Sequence, residues 1–519
     1  MNPLFLILVD SFKDSISSNE IGKLLQKLIP NSDYYPISDG GEGFLDTIKY
    51  IKKCDEIKLK TYSPSFKEIE ITVLIDEEKN AYLESSQIIG YKYKIDGNIL
   101  NRSSFGIGEV LKKLNHYDIK NLYLGLGGTS TSDVGVGTLF SLGAKFFLSN
   151  HEEINNPSIY DVLKVESIDL SKLSRLNFNI FVVNDVTNPL IGKNGANYVF
   201  AEQKGASKQD IKLLETCFKR FKNKIQDYCV DLENEIGDGS AGGLGFTFKH
   251  LLNAKYLQGI DFILSLINIE KIKENYDFVI TGEGEGKFDQ QSINGKVVAG
   301  IYKFVEKEKV IIVTGQNNTK IKNHIYSIVP KYTCDINESI NNPQKYLSLI
   351  ASDINKDFSS LKRINHSFPA FYDANSEILI LGSFPSVQSR IDGFYYMHKG
   401  NRFYKVLSKV FEEEIGSSID EKKEFLTKHH IALYDVIDEC LINGSSDSTI
   451  SNVIPTDLNK LISKSKIRKI LVNGKTAQKY FSQYFSKINL PIFFLPSTSA
   501  RNASFNLNEL TEEYKKALD

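Results

Sequence analysis

The sequence predicts an α/β protein, and three observations carry that prediction. Short apolar runs rich in Leu, Ile and Val recur without polar alternation at Leu4–Val9, Leu122–Leu126, Ile180–Val183, Phe278–Ile280 and Val310–Val313. Such runs suit strands buried on both faces of a parallel sheet. Each run gives way to a polar turn: Asp10-Ser11, Gly127-Gly128, Asn184-Asp185, Thr281-Gly282-Glu283 and Thr314-Gly315. Helical patterns lie between them. After Ser17 and Ser18, the residues Ile21, Leu24, Leu25 and Leu28 recur at helical spacing until Pro30 stops the run. In sheets of this class ligands collect at the carboxyl ends of the strands, which is where the polar turns fall.

The pattern restarts late in the chain. Residues 336–366 are polar and rich in Asn and Ser, with a helical stretch at Tyr346–Ile354. Then Glu377–Leu381 leads into Gly382-Ser383-Phe384-Pro385-Ser386, Ile470–Val472 into Asn473-Gly474, and Ile492–Leu495 into Pro496-Ser497-Thr498-Ser499. The predicted domains are therefore 1–360 and 364–519. A chain of 519 residues holds about three compact units at roughly 100–200 residues each. Hydrophobic residues at 41% and charged residues at 24% are ordinary for a soluble globular protein. The net charge of -1 excludes an overall basic field but leaves room for a local basic groove. The five cysteines are scattered with no CxxC, which argues against a disulfide framework, a zinc ribbon or an iron–sulfur cluster and fits a reducing cytoplasm. No apolar run approaches the roughly 18 residues needed to cross a bilayer, so no membrane partner is expected.

The first 300 residues hold a set of acidic and glycine-rich turns. They include Asp10-Ser-Phe-Lys13, Ser38-Asp39-Gly40-Gly41-Glu42-Gly43 and Gly125-Leu-Gly127-Gly128-Thr129-Ser130-Thr131-Ser132-Asp133. Asn184-Asp185, Gln203-Lys204-Gly205, Gly239-Ser-Ala-Gly242-Gly243 and Thr281-Gly282-Glu283-Gly284 follow, with Asp289 and Gly295-Lys296 beyond. A glycine after a strand also makes an ordinary tight turn, and a lone Asp there also serves as a helix N-cap. Neither reading explains why carboxylates and glycines occur together in so many turns. Phosphoryl transfer needs that mixture: backbone donors and Lys for phosphate, carboxylates for Mg2+, and one carboxylate to orient the attacking hydroxyl. The 125–133 turn is the strongest phosphate cradle, because glycines let N–H groups approach an anion and hydroxyls add donors. It is not a Walker A loop. Gly474-Lys475-Thr476 is the nearest decoy, and Lys469 stands where that motif needs its first glycine. A dinucleotide fingerprint is excluded because Ser130 stands where Gly125-x-Gly127 would need its third glycine.

Residues 1 to about 335 resemble the bacterial glycerate kinase family, which phosphorylates D-glycerate with ATP. The resemblance rests on DSFKDS (10–15), SDGGEGFLD (38–46), SSFGIGE (103–109), LGLGGTSTSDVGVG (124–137), NDVTNPLIGKNGA (184–196), QKGAS (203–207), GSAGGLG (239–245) and TGEGEGKFDQQSINGK (281–296). Departures are Asp14, where the family has Gly, and Thr129 and Ser132 within a Gly-Gly-Ser-Ala-Thr-Asn-Asp type loop. The resemblance implies a two-lobed α/β fold with the second lobe, roughly 60–260, inserted into the first, and a cleft between them. Together the two lines make Asp185 the base and Lys13 and Lys296 clamps for phosphate or carboxylate. Asp10, Asp39 and Glu42 are expected to bind the substrate, Asp39, Glu42 and Glu283 being candidates for either Mg2+ or the glycerate hydroxyls and Asp289 a further Mg2+ candidate, and the backbone of Gly127, Gly128, Thr129 and Ser130 is the expected anion cradle. The 2-hydroxyl is the favoured acceptor. Another small hydroxy acid or polyol is the alternative substrate.

Residues 366–519 carry different chemistry. Aromatic residues stand beside His398, Asn401 and Arg402 in Phe394-Tyr-Tyr-Met-His398-Lys-Gly-Asn401-Arg402-Phe403-Tyr404, which suits stacking on a base and reading its edge. Phe394, Tyr395, Phe403 and Tyr404 equally suit a core. This segment resembles the hypoxanthine-DNA glycosylase branch of the uracil-DNA glycosylase superfamily through SFP (367–369), LILGSFPSVQS (379–389), GFYYMHKGNRFYKVL (393–407), IALYDVI (431–437), SSDSTI (445–450), NGKTA (473–477) and LPSTSARNAS (495–504). Lys399-Gly400 and Tyr404 depart from the usual His-Pro-Arg/Gln context and Trp. The resemblance implies a three-layer α/β/α domain on a parallel four-stranded sheet. It also implies excision of hypoxanthine from double-stranded DNA without a metal, with Asn401 essential and His398, Asn502 and Ser383 contacting base or phosphate. With 19 basic against 18 acidic residues over 364–519, DNA affinity would rest on a local patch such as Lys399, Arg402 and Arg501. The alternative is a C-terminal binding module without activity.

Overall fold

A computed structural model describes residues 2–12, 15–94, 97–229, 236–283, 297–321 and 324–518. The chain divides into two compact units, Leu4–Asp353 and Ile354–Asp519.

The strands of the first unit are β1 (Phe5–Val9), β2 (Ser32–Tyr34), β3 (Cys54–Tyr62), β4 (Glu68–Asp76), β5 (Asn80–Glu84), β6 (Asn121–Gly125), β7 (Lys145–Phe147), β8 (Ser167–Asp169), β9 (Asn179–Val183), β10 (Lys255–Leu257), β11 (Phe278–Glu283), β12 (Val310–Gln316) and β13 (Ile325–Val329). One sheet has the order β13-β12-β11-β1-β2 and is parallel throughout. The second has the order β10-β9-β6-β5-β4-β3. Its four strands from β10 to β5 are parallel, and β4 and β3 add an antiparallel edge. The first sheet thus draws on residues 5–34 and 278–329, and the second on residues 54–257. The sequence reading missed β3 and β4. Their apolar residues alternate with charged ones, as in Glu68-Ile-Glu-Ile-Thr-Val, because one face packs and the other meets water.

Helix placement follows from local chemistry. Ser17 accepts from Glu20 N, and the Glu20 side chain returns to Ser17 N, so a capping box starts the helix Ser18–Leu28. Ile21 and Leu25 face inward from it, at the spacing that predicted the helix. The helices Phe44–Ile51 and Gly259–Leu266 share one apolar core with both sheets. Phe44, Leu45, Ile48, Ile260 and Ile263 meet Leu6, Leu8 and Val279 of the first sheet and Leu74, Tyr82 and Val183 of the second. On the other face of the second sheet, Leu83, Leu122, Leu124 and Val182 pack on Ile107, Val110 and Leu111 of the helix Phe105–Leu114.

The second unit holds β14 (Lys362–Asn365), β15 (Ile378–Gly382), β16 (Ile431–Asp435), β17 (Ile437–Ile442), β18 (Ser451–Pro455), β19 (Lys469–Asn473) and β20 (Ile492–Leu495). The four-stranded sheet β16-β15-β19-β20 is parallel, as the resemblance implies, and β14-β17-β18 form a small antiparallel sheet that the sequence reading did not contain. Strand β15 is buried at every position and feeds two cores. Leu379 and Leu381 meet Ala477 and Phe481, whereas Ile378 and Ile380 meet Phe403, Leu407 and Tyr514. That division between faces makes the three layers.

Leu381 is fully buried. Leu381→Ala removes its packing and leaves a cavity, so the unit should lose about 2–5 kcal/mol. Urea unfolding followed by far-UV circular dichroism measures this.

Candidate functional site

In the first unit the glycine-rich turns meet. Gly40, after β2, has φ +90 and lies so near β9 that an added Cβ would stand 2.3 Å from the Val183 carbonyl oxygen. Gly127, after β6, is seated on the same turn, its added Cβ falling 2.6 Å from the Gly41 Cα. No side chain fits at either position. The 38–43 turn is thereby pressed onto the carboxyl ends of β6 and β9, and Asp39 is brought beside Asp185. Gly259, at the start of the helix Gly259–Leu266, completes the junction, with an added Cβ 2.1 Å from the Asp39 carbonyl oxygen.

Asp185 is half-buried. Its carboxylate accepts from Gly259 N at 2.8 Å and from Ile260 N at 3.3 Å, so it caps that helix from a different strand. Burial first, and the nearby Asp39 charge second, push the Asp185 carboxyl up to about 7, against the two N–H donors. Asp39 is exposed and accepts from Gly41 N at 2.9 Å. Glu42 is exposed, its backbone N standing 4.0 Å from the place a Cβ of Gly128 would take. Asp10 accepts from Ser11 N at 2.7 Å and stands at the end of β1, its own N–H donating to the Gly282 carbonyl at 3.2 Å. Lys13, Asp289 and Lys296 lie outside the described residues, as does the side chain of Glu283, whose backbone ends β11.

The cradle differs from its prediction at Ser130. Both its N–H (2.7 Å) and its hydroxyl (3.1 Å) donate to the Ile89 carbonyl, so its donors are spent inside the protein. Gly127 and Gly128 are half-buried and face outward, whereas Thr129 is only 3% exposed. Beneath them Asp133 accepts from Ser104 N (2.7 Å), Ser104 Oγ (2.8 Å), Gly135 N (3.2 Å) and Gly137 N (3.2 Å). Burial pushes this carboxyl up, and the four donors oppose it. The sequence reading also missed Glu84, at the end of β5. Its Oε2 accepts from Leu45 N at 3.2 Å at the start of the helix Phe44–Ile51, and burial raises its carboxyl.

In the second unit the carboxyl ends of the parallel strands bring together Gly382, Asp435, Asn473 and Thr498. Asp435 Oδ2 pairs with His366 Nε2 at 3.0 Å, and both side chains are buried. His366 Nδ1 is buried, and among the described residues it meets no partner. Asp435 Oδ1 faces Gly382, where an added Cβ would stand 2.2 Å from it and 3.2 Å from Tyr396 Oη. Tyr396 Oη is buried beside the Asn473 side chain, its hydroxyl hydrogen meeting no acceptor among the described residues, and its ring stacks on Phe403 at 3.9 Å. Sequence reading did not pair His366 with Asp435, although Asp435 lies in the IALYDVI stretch (431–437).

Asn401 is half-buried, and its Oδ1 accepts from Phe403 N at 3.0 Å, leaving the amide N–H groups and one oxygen lone pair. His398 is exposed and its Nδ1 accepts from Gly400 N at 3.1 Å. Ser383 donates to Asp447 Oδ2 at 3.1 Å, and the Asn502 amide donates to the Ser497 carbonyl at 2.8 Å, bracing its own loop. Phe394, Tyr395 and Phe403 are core. Arg402 departs from its predicted place in a DNA-binding patch. Its guanidinium donates to the carbonyls of Ser499, Asn502 and Phe505, which leaves Lys399 and Arg501 as the exposed cations.

Residues 5–359 match the Glycerate kinase family, and residues 369–519 match the Uracil DNA glycosylase superfamily. A glycerate kinase of Halalkalibacterium halodurans is 31% identical over 350 residues, spanning 63% of this chain and 90% of that protein. The glycerate 2-kinase of Escherichia coli is 32% identical over 316 residues, spanning 58% and 82%. A crystal structure of a provisionally assigned glycerate kinase 2 from Salmonella typhimurium LT2 superposes with a TM-score of 0.57 at 26% identity, covering 69% of this chain and 99% of that one. The chain belongs to the Glycerate kinase family, and it carries a uracil DNA glycosylase superfamily domain after the kinase segment. No helix among the described residues is long and apolar enough to cross a membrane.

Asp185→Asn keeps an oxygen for Gly259 N and removes the charge. Loss of a positioned base costs about 10²–10⁴ in rate, so kcat should fall in that range with the melting temperature little changed. In the parent, the ionised form is lost as pH falls through about 7, so kcat/KM should have an acid limb there that the variant lacks. A pH series of initial rates measures both.

Proposed function

We propose that the kinase segment transfers the γ-phosphoryl group of ATP to D-glycerate, at the 2-hydroxyl. The observation that carries this is the junction of the Asp39–Asp185 carboxylate pair with the half-buried Gly127-Gly128 turn, each supplied by a different strand end. Asp185 orients the attacking hydroxyl and takes its proton. Gly127 and Gly128 offer backbone N–H groups to phosphate, and Asp39, Glu42 and Asp10 bind the substrate hydroxyls. Lys13 and Lys296 keep the clamp roles that the sequence implies.

Mg2+ is bound in such sites by one or two carboxylates together with substrate phosphates. Asp39, exposed at the same junction, fits that need, with Glu283 and Asp289 as further candidates. When bound, the ion neutralises charge on the phosphates. Among the described residues no group of three or more His, Cys, Asp or Glu forms a closed metal site. The setting that suits the five free cysteines is the cytoplasm.

For the C-terminal domain we propose excision of hypoxanthine from deoxyinosine in double-stranded DNA. Asp435 Oδ1 and Tyr396 Oη offer an acceptor and a donor side by side, which suits the N–H and C=O of the lactam edge that hypoxanthine and uracil share. Asn401 holds the water that attacks C1′ as the glycosidic bond breaks and its electron pair leaves with the base. Asn is no strong base, so positioning and the leaving group carry the barrier.

The full chain with Mg2+ and ATP should form ADP in the presence of D-glycerate, with nuclear magnetic resonance identifying 2-phosphoglycerate. No turnover with glycerate alongside turnover of another hydroxy acid or polyol would redirect the substrate. On a deoxyinosine duplex followed by alkali, the full chain should cleave the strand, and Asn401→Ala should abolish cleavage while DNA binding persists. Cleavage that survives in Asn401→Ala removes that residue from the chemistry. No cleavage by the parent on inosine or uracil substrates makes the domain a binding module.

A further inference from the structure

Asn184 follows β9, directly before Asp185, and is only 3% exposed. Its side-chain amide reaches to both sides of the candidate kinase site. Nδ2 donates to the carbonyl of Leu126, the residue before Gly127. Oδ1 accepts from the N–H of Val186, the residue after Asp185. The Asn184 backbone is tied as well, its N–H donating to the Leu257 carbonyl at the end of β10 at 3.1 Å. One small side chain thus joins the turn proposed to hold phosphate to the loop that carries the proposed base.

The partners dictate the residue type. A carbonyl needs a donor and a backbone N–H needs an acceptor, and an amide side chain presents one of each. An aspartate would set an oxygen against the Leu126 carbonyl, and an apolar side chain would leave both buried backbone groups short of a partner, which is costly. Each joined segment is also held from its own side. Leu126 N donates to the Val183 carbonyl at 3.0 Å, and Tyr256 Oη donates to the Val186 carbonyl at 3.1 Å. Neither of those bonds crosses from the phosphate turn to the residues around Asp185, and the Asn184 amide does.

We infer that Asn184 is a positioning residue of the kinase site, setting the distance and angle between a phosphate on the Gly127-Gly128 turn and a hydroxyl oriented by Asp185. The inference rests on the kinase reading above and adds a residue that the reading did not use. In the transfer, the hydroxyl oxygen bonds to the γ-phosphorus. The bond from that phosphorus to the oxygen bridging it to the β-phosphate breaks, ADP keeps the electron pair, and the hydroxyl proton passes to Asp185. Attacking and leaving oxygens must lie roughly in line. Asn184 touches neither reactant in this role, so its loss leaves each binding surface in place and loosens the relation between them. Water, small and not held by the glycerate contacts, depends less on that relation than the bound hydroxyl does.

The test uses the full chain and Asn184→Asp, which keeps the shape and loses the donor. A misplacement near 1 Å costs roughly 10²-fold in rate, so kcat with D-glycerate should fall by about that factor while KM for ATP and for D-glycerate changes little. ADP and phosphoglycerate, formed in equal amounts by the parent, should diverge in the variant, with ADP in excess as water competes for the phosphoryl group. Asn184→Ala adds no charge beside Asp185 and should show the same divergence; it also serves should Asn184→Asp fail to fold. An intact kcat with the two products still equal, and only the melting temperature lowered, overturns the inference and makes Asn184 a structural residue. A raised KM for ATP with kcat kept overturns it too, because Asn184 then supports the phosphate turn alone. Where the parent phosphorylates another hydroxy acid in place of D-glycerate, the same comparison with that acceptor decides the inference, and the substrate reading alone fails. A parent that phosphorylates no acceptor overturns the kinase reading and the inference with it.

Discussion

Helix N-termini bonded to carboxylates at strand ends are the interaction on which the kinase segment depends. A parallel sheet delivers its carboxyl ends to one edge, and the helices that follow present unpaired N–H groups there. Glu84 at the end of β5 answers the helix Phe44–Ile51, and Asp185 after β9 answers the helix Gly259–Leu266. Those two helices share their apolar core with both sheets, so each carboxylate fixes a helix that both sheets use. Burial raises both carboxyls, and the helix donors offset that cost without cancelling it. A carboxylate held in this way is positioned and is poorly solvated, which is the condition a base needs near neutral pH.

The capping role of Asp185 and the catalytic role proposed for it are therefore compatible. A carboxylate has two oxygens and about four acceptor positions, and two backbone N–H groups leave room for a substrate hydroxyl. Asp39 acts on it through space. Its carbonyl is packed against Gly259 while its charge raises Asp185, so the turn that carries Asp39 also tunes the proposed base. That arrangement requires the glycines: a methyl group at 40 would collide with the β9 backbone, and φ +90 is itself costly for any other residue.

Much of this was legible before the structure. The apolar runs and polar turns marked β1, β6, β9, β11 and β12 and the edge at which they end, because burial on both faces leaves a plain compositional trace. The charged alternation of β3 and β4 does not resemble a parallel strand, and it was passed over. Asp185 stood out as an acid after a strand, but its helix begins 74 residues later. Spacing along the chain says nothing about such a bond. Ser130 and Arg402 show the opposite failure. Hydroxyl and guanidinium donors advertise binding in a sequence, yet Ile89 O and the carbonyls of the 499–505 loop claim them, since a buried or half-buried donor must be satisfied by whatever backbone is near.

His366 and Asp435 carry the same lesson into the C-terminal domain. They are 69 residues apart, one before β15 and the other at the end of β16; Asp435 lies in the IALYDVI stretch, but nothing in that stretch points to His366 as its partner. What reveals them is the glycine between: Gly382 has no side chain, and the space it vacates holds Asp435 Oδ1 and, close by, Tyr396 Oη. The turn after β15 offers no carboxylate of its own, and Asp435 reaches its first glycine from the neighbouring strand, paired with His366. The acid is therefore absent from that turn in sequence and present beside it in space, so the turn's composition alone does not say whether a carboxylate stands at this strand end.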